Sequence, residues 1–135
     1  MTLILDNSAA MPFVNEDEAD ERSQALLDRI LDEGAFVPPL FYAEFANALL
    51  NAGRRRRLTG EEQQRALETM GRLPLEIDDL DPTSSALLFL GERLRLTVYD
   101  AWYLYLAISR RLPLATRDEA LRAAAKSVGV ELVDA

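Results

Sequence analysis

Cysteine and histidine are both absent from this 135-residue chain. Without cysteine there is no disulfide, no thiolate zinc site and no thiol nucleophile. Without histidine the chain lacks the usual general base near neutral pH and the commonest ligand of transition metals. Any catalysis must therefore run on carboxylates, hydroxyls, arginines or metal-bound water. Lysine is almost missing as well: Lys126 stands alone against 14 arginines, a bias that genome base composition produces as readily as function does. Long apolar runs are missing too. The longest uncharged one, around Ala101 to Ile108, is far too short to span a bilayer. The five residues before Asp6 hold no basic segment followed by an apolar stretch, which is not a signal-peptide pattern. A cytoplasmic protein is expected.

What is present is the composition of a globular domain, 49% hydrophobic and 28% charged, at a length that suits one domain over residues 1–135. The net charge of −8 argues against a broad, non-specific nucleic-acid binder. That charge is unevenly spread. Glu16, Asp17, Glu18, Asp20 and Glu21 form an acidic cluster, whereas Arg54, Arg55, Arg56 and Arg57 are contiguous.

Short apolar runs alternate with helical patterns. Thr2 to Leu5 reads as a buried strand. A helix follows over about Ala19 to Glu33, with Ala25, Leu26, Ile30 and Leu31 on one face and Gly34 as its stop. Ala35 to Val37 reads as a second strand, and Leu40 to Ala52 as a helix closed by Gly53. Thr59 with Glu62 three residues on has the form of a capping box. Leu75 to Ile77 suits a strand. Pro82, placed in a first helical turn, suits a helix running to about Leu94. Val98 to Arg110 is helical and apolar nearly all round, which predicts burial. Pro113 to Ala115 reads as a strand, Asp118 to Val128 as a helix and Glu131 to Val133 as a last strand. The alternation predicts an α/β fold, a parallel sheet with helices on both faces.

Against this background four acidic side chains stand alone among apolar residues. Asp6 ends the run Leu3-Ile4-Leu5. Glu44 is the only charge between Gly34 and Arg54. Asp100 is the only charge between Arg95 and Arg110. Asp118 follows Leu112-Pro113-Leu114-Ala115. A carboxylate beside core residues loses hydration, at a cost that a partner must offset. In open α/β sheets ligands bind beyond the carboxyl ends of the strands. All four acids fall where they can converge there. Taken singly, Asp6, Asp100 and Asp118 are each explained as well by a helix N-cap. Glu44 resists that explanation, since it lies one turn into an apolar helix beside Phe41, Phe45 and Leu49. With Asn47 and Asn51 it forms a polar stripe, which is also how a solvated helix face looks.

Oxygen-only ligands select hard cations, Mg²⁺ or Mn²⁺. Such a centre activates water and neutralises charge on a phosphodiester without any histidine. Ser8 and Thr116, each two residues from one of the aspartates, are placed to position a phosphate or a water, or else to begin a helix and form a turn.

Four stretches carry a resemblance to a known family: Ile4-Leu5-Asp6-Asn7-Ser8-Ala9; Ala43-Glu44-Phe45-Ala46-Asn47-Ala48-Leu49; Leu96-Thr97-Val98-Tyr99-Asp100-Ala101-Trp102-Tyr103-Leu104; and Leu114-Ala115-Thr116-Arg117-Asp118-Glu119-Ala120-Leu121. In this order and at these separations they resemble the PIN-domain ribonucleases, most closely the VapC-type toxins of bacterial toxin–antitoxin pairs. The resemblance covers nearly the whole chain. It implies a three-layer α/β/α fold with a short parallel central sheet, and a Mg²⁺- or Mn²⁺-dependent endoribonuclease that cuts single-stranded RNA. It matches Asp6, Glu44, Asp100 and Asp118 to the family's acidic quartet. Ser8, Asn47 and Thr116 match its accompanying polar positions. It further implies a cognate antitoxin that blocks the site, and a homodimer.

Two features depart from the family pattern. Arg111 stands where many relatives have glycine, which predicts a slightly different connection there. The acidic run Glu16 to Glu21 is heavy for a flank of an RNA path. Arg54 to Arg57 suit either RNA phosphates or a solvated turn between helices. Tyr99, Trp102, Tyr103 and Tyr105 read as core, with Tyr99 and Tyr103 sharing a face that can flank the site. The competing functions are a catalytically silent binding module, which the intact quartet disfavours, and a metal-dependent phosphatase. A phosphoacceptor domain fits poorly, because it needs a lysine near the phosphoryl site and Lys126 lies late in a surface-type helix.

Overall fold

A computed structural model gives the fold and describes residues 2–135. The apolar runs pair as four short parallel strands: β1 (Ile4–Leu5), β2 (Ala35–Val37), β3 (Leu75–Ile77) and β4 (Leu114–Ala115), in the order β3-β2-β1-β4. Ile4 is in register with Phe36 on one side and Leu114 on the other, and Val37 with Ile77. Ile4, Leu5, Leu114 and Ala115 are fully buried, as parallel strands covered on both faces must be.

The connections are helical, as parallel pairing demands. Between β1 and β2 come α1 (Asn7–Ala10), a 3₁₀ turn (Met11–Phe13) and α2 (Glu21–Glu33). Between β2 and β3 come α3 (Phe41–Arg54) and α4 (Gly60–Arg72). Then α5 (Ser84–Leu94) and α6 (Val98–Arg110) lead to β4, and α7 (Glu119–Ser127) follows. The result is an α/β/α fold. The chain builds outward from β1 through β2 to β3, then returns to lay β4 on the other side of β1. The carboxyl ends of β1 and β4 therefore flank the point where strand order reverses, the place where such sheets leave a crevice.

Local chemistry fixes the helix starts. Asp20 and Ser23 close a reciprocal capping box on α2, and Thr59 and Glu62 do the same on α4. Thr83 and Thr97 cap α5 and α6 through their hydroxyls. One ion pair, between a buried aspartate and an exposed arginine, ties distant elements together. Asp78, just past β3 and 3% exposed, accepts from Arg110 Nε at 2.9 Å and from Nη2 at 2.5 Å. The arginine holds the Asp78 carboxyl below its ordinary range, chiefly through those hydrogen bonds.

Several expectations shift. The helix expected to stop at Gly53 runs through it to Arg54. Gly53 does not terminate the helix; the Gln63 amide, which donates to the Leu49 carbonyl at 2.8 Å, lies over it where a Cβ would make it shift. Pro82 lies ahead of its helix, which starts at Ser84 after the Thr83 cap. The expected strand Glu131–Val133 reduces to a single parallel bridge between Leu132 and Leu114. On α2 the buried stripe is Ser23, Leu26 and Ile30, whereas Ala25 and Leu31 face solvent. Residues 23, 26 and 30 follow the helical repeat, and 25 and 31 fall off it. Helix α6 is buried along Ala101, Tyr103, Leu104, Leu106 and Ala107, but Val98, Tyr99 and Ile108 are exposed. Arg111 does end α6, and it takes the left-handed conformation (φ 56°) that usually favours glycine.

Candidate active site

The four lone acids meet at the carboxyl end of the sheet. Asp6 follows β1, and its backbone N–H donates to the Ala115 carbonyl at 3.0 Å, locking it beside the end of β4. It holds the N-cap position of α1 yet makes no side-chain cap bond. Its Oδ2 instead accepts two hydroxyl protons, from Ser8 Oγ at 2.6 Å and Thr116 Oγ1 at 2.7 Å. Only 5% of Asp6 is exposed. Burial pushes its carboxyl above the ordinary range, the hydrogen bonds pull against that, and the Asp118 charge adds to the rise.

The two hydroxyls are therefore committed to Asp6. Each also accepts a backbone proton: Ser8 Oγ from the Arg117 N–H at 2.9 Å, Thr116 Oγ1 from the Asp118 N–H at 3.1 Å. Thr116 is fully buried. These contacts splice the loop after β1 to the loop after β4. They make Ser8 and Thr116 the supports of a carboxylate, where sequence alone suggested contacts to a phosphate or a water.

Asp118 is a true helix cap, its Oδ2 accepting from the Leu121 N–H at 2.8 Å. Asp100 is not the cap of α6. That role belongs to Thr97, whose hydroxyl accepts from the Asp100 N–H at 3.1 Å. Asp100 is half-buried and sits above the ordinary range, first from lost hydration and then from the charges of Asp118 and Asp6. Glu44, in the first turn of α3, is also half-buried. Its Oε1 accepts from the Tyr103 hydroxyl at 2.5 Å. Its carboxyl is raised by burial and then by the charges of Asp6 and Asp100.

Asp6, Glu44 and Asp100 each sense the charge of at least one other member of the group. Among the described residues, none of them pairs with an arginine or lysine. No three of them are drawn tightly enough to make a finished ligand set either. The arrangement is a loose group of mutually repelling carboxylates without a protein cation. An all-oxygen donor set of this kind suits a hard divalent ion. Asp6, Glu44, Asp100 and Asp118 are the residues able to hold one. Among the described residues, Asp6 Oδ1 accepts no side-chain hydrogen bond, nor does Glu44 Oε2.

Other expected residues lie outside this group. Asn47 is exposed on the turn of α3 after Glu44 and makes no side-chain hydrogen bond among the described residues. Tyr99 is 60% exposed, whereas Tyr103, one turn on, is wholly buried. Arg54 to Arg57 are exposed at the far end of α3. Arg57 and Arg65 border a groove of about 680 Å³ between α4 and the segment from the 3₁₀ turn to α2, and none of the four carboxylates lines it.

Two contacts were not specified by the sequence. The Tyr103 ring reads as core on a face that can flank the site, but its hydroxyl partner, Glu44, is 59 residues away. Arg117 binds the acidic segment back onto the site, donating to the Glu18 carbonyl at 3.2 Å and to Asp20 Oδ1 at 2.8 Å. The acidic run is thus anchored beside the carboxylate group.

The profile of the family described as "PIN domain" matches residues 3–127. The chain belongs to the PIN-domain family. A search of curated protein sequences finds no match. Among solved structures, this PIN domain is similar to PAE2754 from Pyrobaculum aerophilum at 22% identity and TM-score 0.66, with 92% of this chain and 84% of that chain covered. It is also similar to VapBC2 from Rickettsia felis, solved bound to a DNA fragment from their promoter, at 17% identity and TM-score 0.64 over 98% and 97% of the two chains. FitAcB from Neisseria gonorrhoeae gives 18% identity and TM-score 0.57 over 97% and 96%. At these identities the structural likeness establishes the fold of the PIN domain, and the profile match establishes its family.

Proposed function

We propose that this PIN domain is a Mg²⁺- or Mn²⁺-dependent endoribonuclease that acts as the toxin of a type II toxin–antitoxin pair. The observation that carries the reading is the group Asp6, Glu44, Asp100 and Asp118, assembled at the strand ends with no protein cation among the described residues. A divalent ion, when bound, supplies an activated water and neutralises charge on the leaving oxygen. The chain's own part is positioning. Ser8 and Thr116 fix Asp6, the Leu121 amide fixes Asp118, and the α6 start presents Asp100. With histidine absent, these carboxylates are also the available proton acceptors. Single-stranded RNA as substrate, a cognate antitoxin and a homodimer follow from the family resemblance. The likeness to VapBC2 and FitAcB supports the partner reading. Among the described residues no helix is long and apolar enough to cross a membrane.

The test is cleavage of single-stranded and structured RNA with Mn²⁺ or with chelator, beside Asp6→Asn and Asp100→Asn. Metal-dependent cleavage that falls about 100-fold or more in each variant, with both still folded, is expected. Cleavage indifferent to metal and to both substitutions refutes the reading.

A further inference from the structure

Tyr103 is an unusual core residue. Its ring is fully buried in α6, yet its hydroxyl emerges at the carboxylate group and donates to Glu44 Oε1 at 2.5 Å. Asp100 lies one turn earlier on the same helix. One element thus delivers a carboxylate of the group and the clamp on another. Asp6 is held by two hydroxyls and Asp118 by the Leu121 amide. Among the described residues, Tyr103 is the single side chain that donates to Glu44. A free glutamate has three rotatable side-chain bonds, and Asp6 and Asp100 repel it. Without a donor it would swing toward solvent.

We infer that Tyr103 is a positioning residue, whose hydroxyl occupies Glu44 Oε1 and holds Oε2 toward the other carboxylates for a divalent cation. The inference rests on the metal site of the proposed function. Side chains that orient metal ligands typically contribute 10–100-fold in metal affinity. Tyr103→Phe keeps the ring and its packing and removes only the hydroxyl, so the core filled by α6 stays intact.

The experiment is a calorimetric Mn²⁺ titration of the unaltered protein, Tyr103→Phe, Glu44→Gln and the double variant, with thermal melts in chelator alongside. The Mn²⁺ Kd should rise about 10-fold or more in Tyr103→Phe while the chelator melt stays close to that of the unaltered protein. In the Glu44→Gln background the tyrosine substitution should add nothing further, because it acts through Glu44. The unaltered protein offers a second reading that needs no folded Tyr103 variant: Mg²⁺ should perturb the near-ultraviolet absorption of a buried tyrosine, and Glu44→Gln should abolish the change. An unchanged Kd in Tyr103→Phe, an undiminished loss in the Glu44→Gln background, or no Mg²⁺-linked tyrosine signal each overturns the inference while leaving the metal site standing. Absence of Mn²⁺ binding by the unaltered protein overturns both.

Discussion

Asp6, Glu44 and Asp100 titrate above their ordinary range for the same first reason, loss of hydration, and their neighbours' charges add to it. A group raised in this way binds its proton more tightly folded than unfolded. Its contribution to stability is complete below the unfolded value, 3.8 for aspartate and 4.5 for glutamate, and is lost as pH rises through the folded value. In chelator, then, the ionised group weakens the fold at neutral pH. Asp100→Asn removes one member without touching Asp6's hydroxyl bonds. Its melting temperature in chelator should exceed that of the unaltered protein at pH 7, and the advantage should shrink toward pH 4. An advantage that is absent at pH 7, or equal at both pH values, would contradict the assignment of repulsion to this group.

At the scale of elements, the sheet and α6 are held in place by contacts of two kinds: apolar burial and a few directed polar bonds. The Asp78–Arg110 pair is the clearest of the second kind, because the Asp78 side chain is 0% exposed and its arginine partner 37%. Removing the arginine leaves the buried Asp78 carboxylate without its cation. Arg110→Met should lower the urea midpoint at neutral pH, because the buried Asp78 loses its cation. Asp78 is lowered from its ordinary value, so the stability it contributes is present above that value and fades as pH falls. The cost of Arg110→Met should therefore diminish in acid; a pH-independent or negligible cost would show that the pair does not join β3 to α6. This pair also marks where sequence stops informing. The apolar runs of β1 to β4 and the near-continuous apolar face of α6 are legible because burial on both faces leaves a direct trace in residue type. So are the lone acids, since a single charge in an apolar stretch demands a reason. Contacts between distant elements leave no such trace. Gly53 looks like a helix stop until the Gln63 amide from α4 is seen packed over it. Tyr103 looks like core, and is core, except for one oxygen that meets Glu44. Ser8 and Thr116 stand out in the sequence beside two of the lone acids, but their shared partner, Asp6 Oδ2, does not.

For the whole molecule, the topology does most to create the site. Strand order β3-β2-β1-β4 puts the ends of β1 and β4 side by side, so Asp6 and Asp118 meet across more than a hundred residues of sequence, and α3 and α6 bring Glu44 and Asp100 to the same edge. The net charge of −8 adds a general attraction for cations, and the carboxylate group focuses it at one place. Crystals of the protein soaked in Mn²⁺ and measured for anomalous scattering test this most directly. The account predicts an anomalous peak bounded by Asp6, Glu44, Asp100 and Asp118, lost in crystals of Asp6→Asn. A peak confined to other surface carboxylates, or no peak at saturating Mn²⁺, would contradict it.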